Sequence, residues 1–179
     1  SNNMENVSAY AIEVKNTLIG SVSITGTLNQ VFSLHFCDLD HLIGKHPGWV
    51  PGNGEKSAVL CSAVDQILEY FAGKRKVFSI DLNIDAHTPF QQHILAITRQ
   101  IPYGQTRTYS ELARLAGKPL AARAVGATMA NNPIPIFIPC HRVIGSDRSL
   151  HGFSAPDGIT TKKILLKLEG NNLVGNKLA

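Results

Sequence analysis

Two short helical segments joined by a glycine-containing turn are the feature that most constrains the fold of this 179-residue chain. Residues 108–111 read Thr-Tyr-Ser-Glu, a capping box in which the threonine and glutamate side chains satisfy free backbone N–H groups. The helix that follows is expected to bury Leu112 and Leu115 and to end at Gly117, with a second helix from about residue 120 through 130. Such a pair is typical of a helix-turn-helix, and a plain antiparallel helix pair is the alternative.

The composition of the second helix favours the helix-turn-helix. It is almost free of bulky side chains, which permits close approach of its backbone to a partner, and Arg123 is its one long cation. Residues 1–89 hold six Lys and Arg against nine Asp and Glu, a net −3, whereas residues 90–179 hold eleven against four, a net +7. A basic half is what the binding of a polyphosphate by one domain requires.

The stretch Pro139-Cys140-His141-Arg142-Val143 places the strongest protein nucleophile beside an imidazole. A neighbouring imidazole and positive charge lower the pKa of a thiol toward neutrality, which favours nucleophilic chemistry. A lone Cys-His pair is more often a buried structural cysteine, so the surrounding sequence must decide between the two.

The cysteine content indicates a reducing intracellular compartment. Cys37, Cys61 and Cys140 are odd in number and widely spaced, which fits neither a disulfide framework nor a zinc site. We therefore expect a cytoplasmic protein, or a nuclear one if the source is eukaryotic. No apolar run approaches the roughly 20 residues of a membrane helix, so no membrane partner is expected.

The first half of the chain predicts a small α+β domain without a catalytic constellation. Residues 10–36 read as strands, and residues 59–71 place apolar side chains at helical spacing before Gly73. Residues 77–84 read as a further strand. The pattern is helical again over residues 88–101.

Residues 88–170 resemble the O6-alkylguanine-DNA alkyltransferases, the single-use repair proteins for alkylated guanine. The matching stretches are Ile101-Pro102-Tyr103-Gly104, Tyr109-Ser110-Glu111-Leu112-Ala113, Ala121-Ala122-Arg123-Ala124-Val125-Gly126, Asn132-Pro133-Ile134-Pro135-Ile136-Phe137-Ile138-Pro139-Cys140-His141-Arg142-Val143 and Leu165-Leu166-Lys167-Leu168-Glu169-Gly170. Their order and spacing agree with the family over this whole range, which makes the resemblance specific.

The resemblance implies a two-domain fold. Residues 1–87 would form an N-terminal α/β support domain, a small sheet plus helix that is ribonuclease-H-like. Residues 88–179 would form a mostly α-helical, winged-helix-like domain that contains the helix-turn-helix, binds DNA and carries out alkyl transfer.

The resemblance also implies the chemistry. Cys140 would attack the alkyl carbon on O6-alkylguanine, and by extension O4-alkylthymine, in duplex DNA and keep it as a thioether. His141 would hold a water that receives the thiol proton, and Glu169 would orient His141. The base would first be extruded from a duplex bound through its minor groove. No metal or organic cofactor is implied, and a monomer is the expected state.

Further residues take roles by resemblance. Tyr109 would serve the departing guanine and crowd the target phosphate, Arg123 would fill the space of the extruded nucleotide, and Asn132 would tie the second helix to the Cys140 turn. The remaining expected DNA contacts are Thr106, Ala122, Ala124 and Gly126. The expected pocket residues are Met129, Pro135, Val143, Phe153 and Ser154.

One loop departs from the family pattern. The family usually has Gly-Tyr-x-Gly-Gly, whereas residues 152–158 read Gly-Phe-Ser-Ala-Pro-Asp-Gly, two residues longer. Phe153 keeps the ring but lacks the phenol, and Ala155-Pro156 replaces flexible glycine. We hypothesise that this loop alters tolerance for bulky adducts, while Ser154 still offers its backbone N–H.

Three alternatives compete with this interpretation. Alkyltransferase-like proteins bind lesions without reacting, but they usually carry tryptophan in place of the nucleophile, and this chain has Cys140. A transcriptional regulator would use the same helix-turn-helix. A thiol hydrolase would turn over repeatedly, and the basic half and Arg123 argue against it.

Overall fold

The computed structural model describes residues 9–153, 155 and 158–179. The described chain divides after Asn83 into two compact units, each with its own core. No helix within these described ranges is long and apolar enough to cross a membrane.

The first unit is built on a small mixed sheet of four strands in the order β3-β2-β1-β4. The strands are β1 (Tyr10–Thr17), β2 (Gly20–Gly26), β3 (Val31–His35) and β4 (Gly52–Asn53). β1, β2 and β3 are antiparallel, and β4 runs parallel to β1. On β2, Val22 and Ile24 are buried and so are Ser23 and Thr25, which shows that both faces of this central strand are covered.

Two helices complete the first unit, α1 (Leu39–Gly44) and α2 (Ala58–Phe71). α2 confirms the helix predicted over residues 59–71 and packs on β1, β2 and β3. Its N-terminus is fixed by Ser57, whose hydroxyl accepts from the Leu60 amide at 3.3 Å and donates to the Thr27 carbonyl at 2.8 Å. One side chain therefore caps the helix and ties it to the β2–β3 turn.

The strand predicted over residues 77–84 is wrong. Only Leu82 forms an isolated bridge, to Val31. The Val31 amide donates to the Asp81 carbonyl at 3.0 Å, and the Asn83 amide donates to the Val31 carbonyl at 2.8 Å. Val77 is 75% exposed. Apolar β-branched residues favour extended backbone, but a strand also needs a partner along its length, and here the partner is one residue of β3.

The second unit is mostly helical. Its helices are α3 (Pro89–Arg99), α4 (Tyr109–Leu115), α5 (Ala122–Ala130) and α6 (Ile159–Leu168), and its short strands are β5 (Arg107–Thr108), β6 (Val143–Ile144), β7 (Leu173–Val174) and β8 (Lys177–Leu178). α3, α4 and α5 pack on one another. β5 pairs in parallel with β6, which joins the start of α4 to the segment that follows the Cys-His motif.

The predicted capping box at the start of α4 is confirmed. The Thr108 hydroxyl accepts from the Glu111 amide at 3.1 Å, and the Glu111 carboxylate accepts from the Thr108 amide at 3.2 Å. Leu112 is buried as expected, but Leu115 is 61% exposed, so that part of the prediction is wrong. Leu112 and Ala113 form the buried face, and Leu115 lies about 200° around the helix from Ala113.

α5 begins two residues later than predicted. The Ala121 amide donates to the Lys118 carbonyl at 2.9 Å, so residues 118–121 form a turn before the helix starts at Ala122. Val125, Thr128 and Met129 face inward, while Arg123 and its small neighbours face solvent. The two helices pack on each other across this turn, in the order that the sequence predicted.

The double role of Ser57 yields a stability prediction. Ser57→Ala is expected to lower the free energy of unfolding by about 2 kcal/mol, because it removes a helix cap and leaves the half-buried Thr27 carbonyl without its donor. Urea unfolding followed by circular dichroism measures this loss. Asp65→Ala, an exposed change on the same helix, is the control and should change stability by less than about 0.5 kcal/mol. Equal effects of the two changes would contradict the prediction.

Candidate active site

Cys140 lies in a short 3-10 turn that is held by its own backbone. The turn spans Cys140–Arg142 and directly follows the buried apolar segment 134–138. The Cys140 amide donates to the Ile138 carbonyl at 2.8 Å. Ile136 has φ of 72°, a conformation that β-branched residues rarely adopt. Such a backbone conformation persists only where the surrounding structure fixes it. The segment 134–138, which leads to Cys140, is therefore held in one conformation.

Asn132, which follows the end of α5, holds the segment 134–138 in place. Its Nδ2 donates to the Ile138 carbonyl at 2.9 Å, and its Oδ1 accepts from the Ile134 amide at 3.0 Å. The side chain is buried and therefore satisfied at both ends. The structure thus brings Asn132 between α5 and the Cys140 turn, where the sequence resemblance expects it.

The Cys140 thiol is almost completely buried, at 3% exposure. Burial raises the pKa of this thiol, while a hydrogen bond from the Asn132 amide, the charge of Lys162 and the backbone amides of Cys140 and His141 act to lower it. Burial is the largest of these effects. The resting thiol is therefore protonated, and its reaction requires a base.

His141 is a buried imidazole with one nitrogen paired. Its Nε2 lies 2.7 Å from Glu169 Oε2, and both side chains are fully buried. Burial lowers the pKa of His141, against the opposite influence of Glu169. Because the ionised carboxylate only accepts hydrogen bonds, Nε2 carries the proton and the lone pair is on Nδ1. Within the described residues Nδ1 is buried and has no hydrogen-bond partner, so it is the basic atom of the ring.

Glu169 is shared between His141 and Arg142. Arg142 Nε donates to Oε1 at 2.7 Å and Nη2 donates to Oε2 at 2.9 Å, a bidentate pair. Arg142 Nη1 also donates to the Ile101 carbonyl at 2.6 Å. Burial acts to raise the pKa of Glu169, but the hydrogen bonds and charges of His141 and Arg142 outweigh it and hold the pKa well below its usual range. The carboxylate is therefore permanently charged.

Sequence reasoning gave Arg142 no role. The proposed pairing of His141 with Glu169 was the signal that could have indicated such a role. An ionised carboxylate that leaves water needs more hydrogen bonds than one imidazole supplies. Arg142 follows His141 in the same turn and supplies them.

Lys162 was also missed. Its side chain is buried, and its Nζ donates to the Val143 carbonyl at 2.6 Å and to the His151 carbonyl at 3.2 Å. Nζ lies 5.9 Å from the centroid of the Tyr109 ring. Burial lowers the pKa of Lys162 to about 8, with Cys140 acting in the opposite direction. A lysine in an amphipathic helix normally indicates a solvent-facing position, so the sequence held no sign of this burial.

Tyr109 is the first residue of α4 and is half-buried. Burial, and then the charge that Cys140 would carry, raise the pKa of Tyr109 to about 12. The phenol therefore remains a hydrogen-bond donor at neutral pH. α5 passes close to it, since a Cβ added to Gly126 would lie 3.9 Å from Tyr109 Cδ1. Tyr109 therefore lies next to α5 and close enough to Cys140 for a charge on the sulfur to affect the phenol.

The outer face of α5 exposes Arg123 and Ala124, with Ala122 and Gly126 half-buried beside them. Thr106 is half-buried, and its carbonyl accepts from Arg107 Nη1 at 2.8 Å. This face of α5 therefore carries one long cationic side chain among small residues.

The expected pocket residues Met129, Pro135, Val143 and Phe153 are buried in the same unit as Cys140. The Met129 sulfur lies 3.7 Å from Thr98 Oγ1, whose proton is donated to the Ile94 carbonyl at 2.7 Å. Ser154 lies outside the described residues. In the atypical loop, Ala155 is buried as well.

The burial of Lys162 yields a pH-dependent stability prediction. Its folded-state pKa of about 8 lies below the unfolded value of about 10.4, so the unfolded chain binds more protons between these values. Stability from this residue is therefore gained as pH rises from about 8 to 10, by on the order of 3 kcal/mol.

Urea unfolding of the wild-type chain and of Lys162→Met at several pH values tests this. The wild-type chain should gain stability relative to the variant as pH rises through this window, because methionine has no proton to lose. Parallel pH profiles for the two proteins would refute the assignment.

The chain is similar to known proteins in both sequence and structure. Residues 89–171 match the family described as "6-O-methylguanine DNA methyltransferase, DNA binding domain". The methylated-DNA–protein-cysteine methyltransferase of Methanosarcina barkeri is 46% identical over 136 residues, which cover 75% of this chain and 84% of the relative. The protein of the same name from Mycobacterium leprae is 43% identical over 127 residues, 71% of this chain and 73% of the relative.

Two solved structures are similar across nearly the whole chain. The Mycobacterium tuberculosis O6-methylguanine methyltransferase has a TM-score of 0.76 at 35% identity, covering 90% of this chain and 92% of the other. The structure of Mycobacterium tuberculosis OGT in complex with DNA has a TM-score of 0.77 at 36% identity, covering 89% and 92%. The similarity therefore extends over both units.

Proposed function

The chain belongs to the O6-methylguanine-DNA methyltransferase family, and from this premise we propose that it repairs alkylated DNA directly by transferring the alkyl group to Cys140. The observation that carries the assignment to Cys140 is the buried pair of His141 and Glu169 beside it. A thiol that burial keeps protonated adjoins an imidazole whose Nδ1 is neutral and unpaired. This is the arrangement that a latent nucleophile requires.

The proposed reaction conserves atoms and charge. The Cys140 thiol loses its proton to a water that passes one to His141 Nδ1, and Glu169 stabilises the resulting imidazolium. The sulfur then forms a bond to the alkyl carbon as the bond from that carbon to guanine O6 breaks. Tyr109, whose raised pKa keeps its phenol protonated, donates a hydrogen bond to the departing guanine anion. The proton held by His141 returns through water to that anion, so the products are a thioether, neutral guanine and neutral His141. The product thioether has no easy hydrolytic exit, so each molecule acts once.

Arg142 and Lys162 support this reaction in our proposal. Arg142 keeps Glu169 ionised, and its charge favours a neutral His141 in the resting state. Lys162 supplies positive charge near Cys140, which favours the thiolate once its proton has left.

The proposed substrate is O6-alkylguanine, and O4-alkylthymine, in double-stranded DNA bound by a monomer through the minor groove. The small residues of α5 allow its backbone to approach the groove, whose readout is nearly degenerate and suits a protein that acts in any sequence. Arg123 is exposed and would enter the stack when the base is extruded. The further proposed contacts are Thr106, Ala122, Ala124 and Gly126, with Met129, Pro135, Val143, Phe153 and Ser154 lining the pocket.

We assign separate roles to the two parts of the chain. Residues 1–87 would form a ribonuclease-H-like support domain, and residues 88–179 a winged-helix-like domain for DNA binding and transfer. The charge division supports this assignment, because the net positive charge is confined to the second half.

Intact-protein mass after incubation with an O6-methylguanine duplex tests the transfer itself. We expect a single increase of one methyl group, lost in Cys140→Ala and retained in Cys61→Ala, which changes a half-buried cysteine of the first unit. Tight duplex binding without any adduct would instead indicate a non-reactive lesion-binding protein. Repeated turnover of substrate would indicate a hydrolase.

Arg123→Ala tests the extrusion step. We expect the transfer rate from duplex DNA to fall by about 10- to 100-fold, because extrusion costs a few kcal/mol that the guanidinium offsets. The rate with free O6-benzylguanine should be unchanged, since no base is extruded. Lys167→Ala, at an exposed cation of α6, is the matched control. A proportional loss with the free base would show that Arg123 acts on the pocket instead.

A further inference from the structure

The turn that follows β6 forms a hydrogen-bonded relay of three side chains. The turn is closed by the Gly145 amide, which donates to the Ser149 carbonyl, and by the Arg148 amide, which donates to the Gly145 carbonyl, both at 2.9 Å. Within it, Ser149 Oγ donates to Asp147 Oδ1 and lies 2.8 Å from His151 Nε2. Asp147, Ser149 and His151 have no role in the function proposed above.

The proton positions in this relay follow from its chemistry. The hydrogen bonds from Ser149 lower the pKa of Asp147, so its carboxylate only accepts. Ser149 has one hydroxyl proton and donates it to Asp147. Its oxygen must therefore accept from His151 Nε2–H, which leaves Nδ1 as the ring nitrogen that is not engaged with Ser149. The His151 residue is exposed.

The relay requires a residue without a side chain at Gly145. A Cβ at this position would lie 2.7 Å from His151 Nε2 and 2.8 Å from Asp147 Oδ1. Both distances are shorter than any ordinary contact, so a larger residue would push the two side chains apart. The His151 ring can therefore occupy this position only because residue 145 is glycine.

The relay places the imidazole at the rim of the candidate active site. The centroid of the His151 ring lies 6.2 Å from that of Tyr109. The His151 carbonyl accepts from the buried Lys162 at 3.2 Å, which fixes the backbone at this point. Tyr109 is half-buried and His151 is exposed, so the imidazole is on the solvent side. A nucleotide that entered base first past Tyr109 would carry its sugar and phosphate over this rim.

We propose that His151 binds the phosphate of the extruded nucleotide through Nδ1, as an imidazolium held in place by Ser149 and Asp147. The proposal rests on the proposed function and adds a DNA contact outside α5. A phosphate accepts hydrogen bonds, and neutral Nδ1 has only a lone pair, so the contact forms with uptake of one proton. Ser149 and Asp147 hold the ring at Nε2, the Lys162 ammonium binds the His151 carbonyl, and the neutral Tyr109 ring lies beside the imidazole.

Duplex affinity as a function of pH tests the proposal. Cys140→Ser is the background in all proteins, so that binding of an O6-methylguanine duplex is measured without reaction. Between about pH 8 and about pH 6 we expect affinity to rise by about threefold to tenfold, because binding takes up a proton. His151→Gln, an exposed change, should remove most of this rise. His93→Gln, at an exposed histidine of α3, should retain it.

Gly145→Ala adds a test that keeps the imidazole. The new methyl group displaces His151 Nε2 and Asp147 Oδ1, which are flexible ends of side chains, so the chain should fold and lose the pH dependence as His151→Gln does. Thermal unfolding checks that it folds. A pH dependence unchanged in His151→Gln overturns the proposal, whatever the behaviour of Gly145→Ala.

Reaction with free O6-benzylguanine in the Cys140 protein separates two roles of His151. The free base has no phosphate, so His151→Gln should leave its rate unchanged. An equal loss with free base and duplex would mean that His151 shapes the pocket and would overturn the phosphate contact. Failure of the proposed function is distinguishable, because it appears as absence of any adduct at Cys140 in the otherwise unchanged chain.

Discussion

The buried carboxylate of Glu169 is the interaction on which the rest of the candidate site depends. Removing an ionised carboxylate from water costs several kcal/mol unless partners replace the lost hydration. His141 and Arg142 supply those partners from the Cys140 turn, which fixes the end of α6 against it. The same pairing determines which nitrogen of His141 carries the proton. One desolvated charge thus sets both the local architecture and the tautomer of His141.

Burial also controls the protonation of the Cys140 thiol. It raises the pKa of Cys140 and lowers that of Lys162, so each group is less charged than it would be in water. Lys162 and the Asn132 amide nevertheless lie where a thiolate would be stabilised. The arrangement favours the charged sulfur only after its proton has been removed through a base, which in our proposal is His141. Accessibility and protonation are therefore controlled together.

Features that depend on neighbouring residues were predictable. The capping box at Thr108, the pair of helices α4 and α5, and the helix over residues 59–71 follow from short-range backbone hydrogen bonds and from side-chain spacing. Two predictions were wrong, namely the strand over residues 77–84 and the burial of Leu115. Both errors came from patterns that are locally adequate but require a partner elsewhere in the fold.

The sequence by itself determined the adjacency of Cys140 and His141, the small residues of α5 and the family to which the chain belongs. Only the tertiary structure decided that Arg142 completes the environment of Glu169 and that the Lys162 ammonium is buried. It also decided the orientation of the His151 ring. The physical reason is that protonation and tautomer follow desolvation and hydrogen-bond partners, which belong to residues distant along the chain. A motif specifies which groups are present, and the fold specifies which of them carry charge.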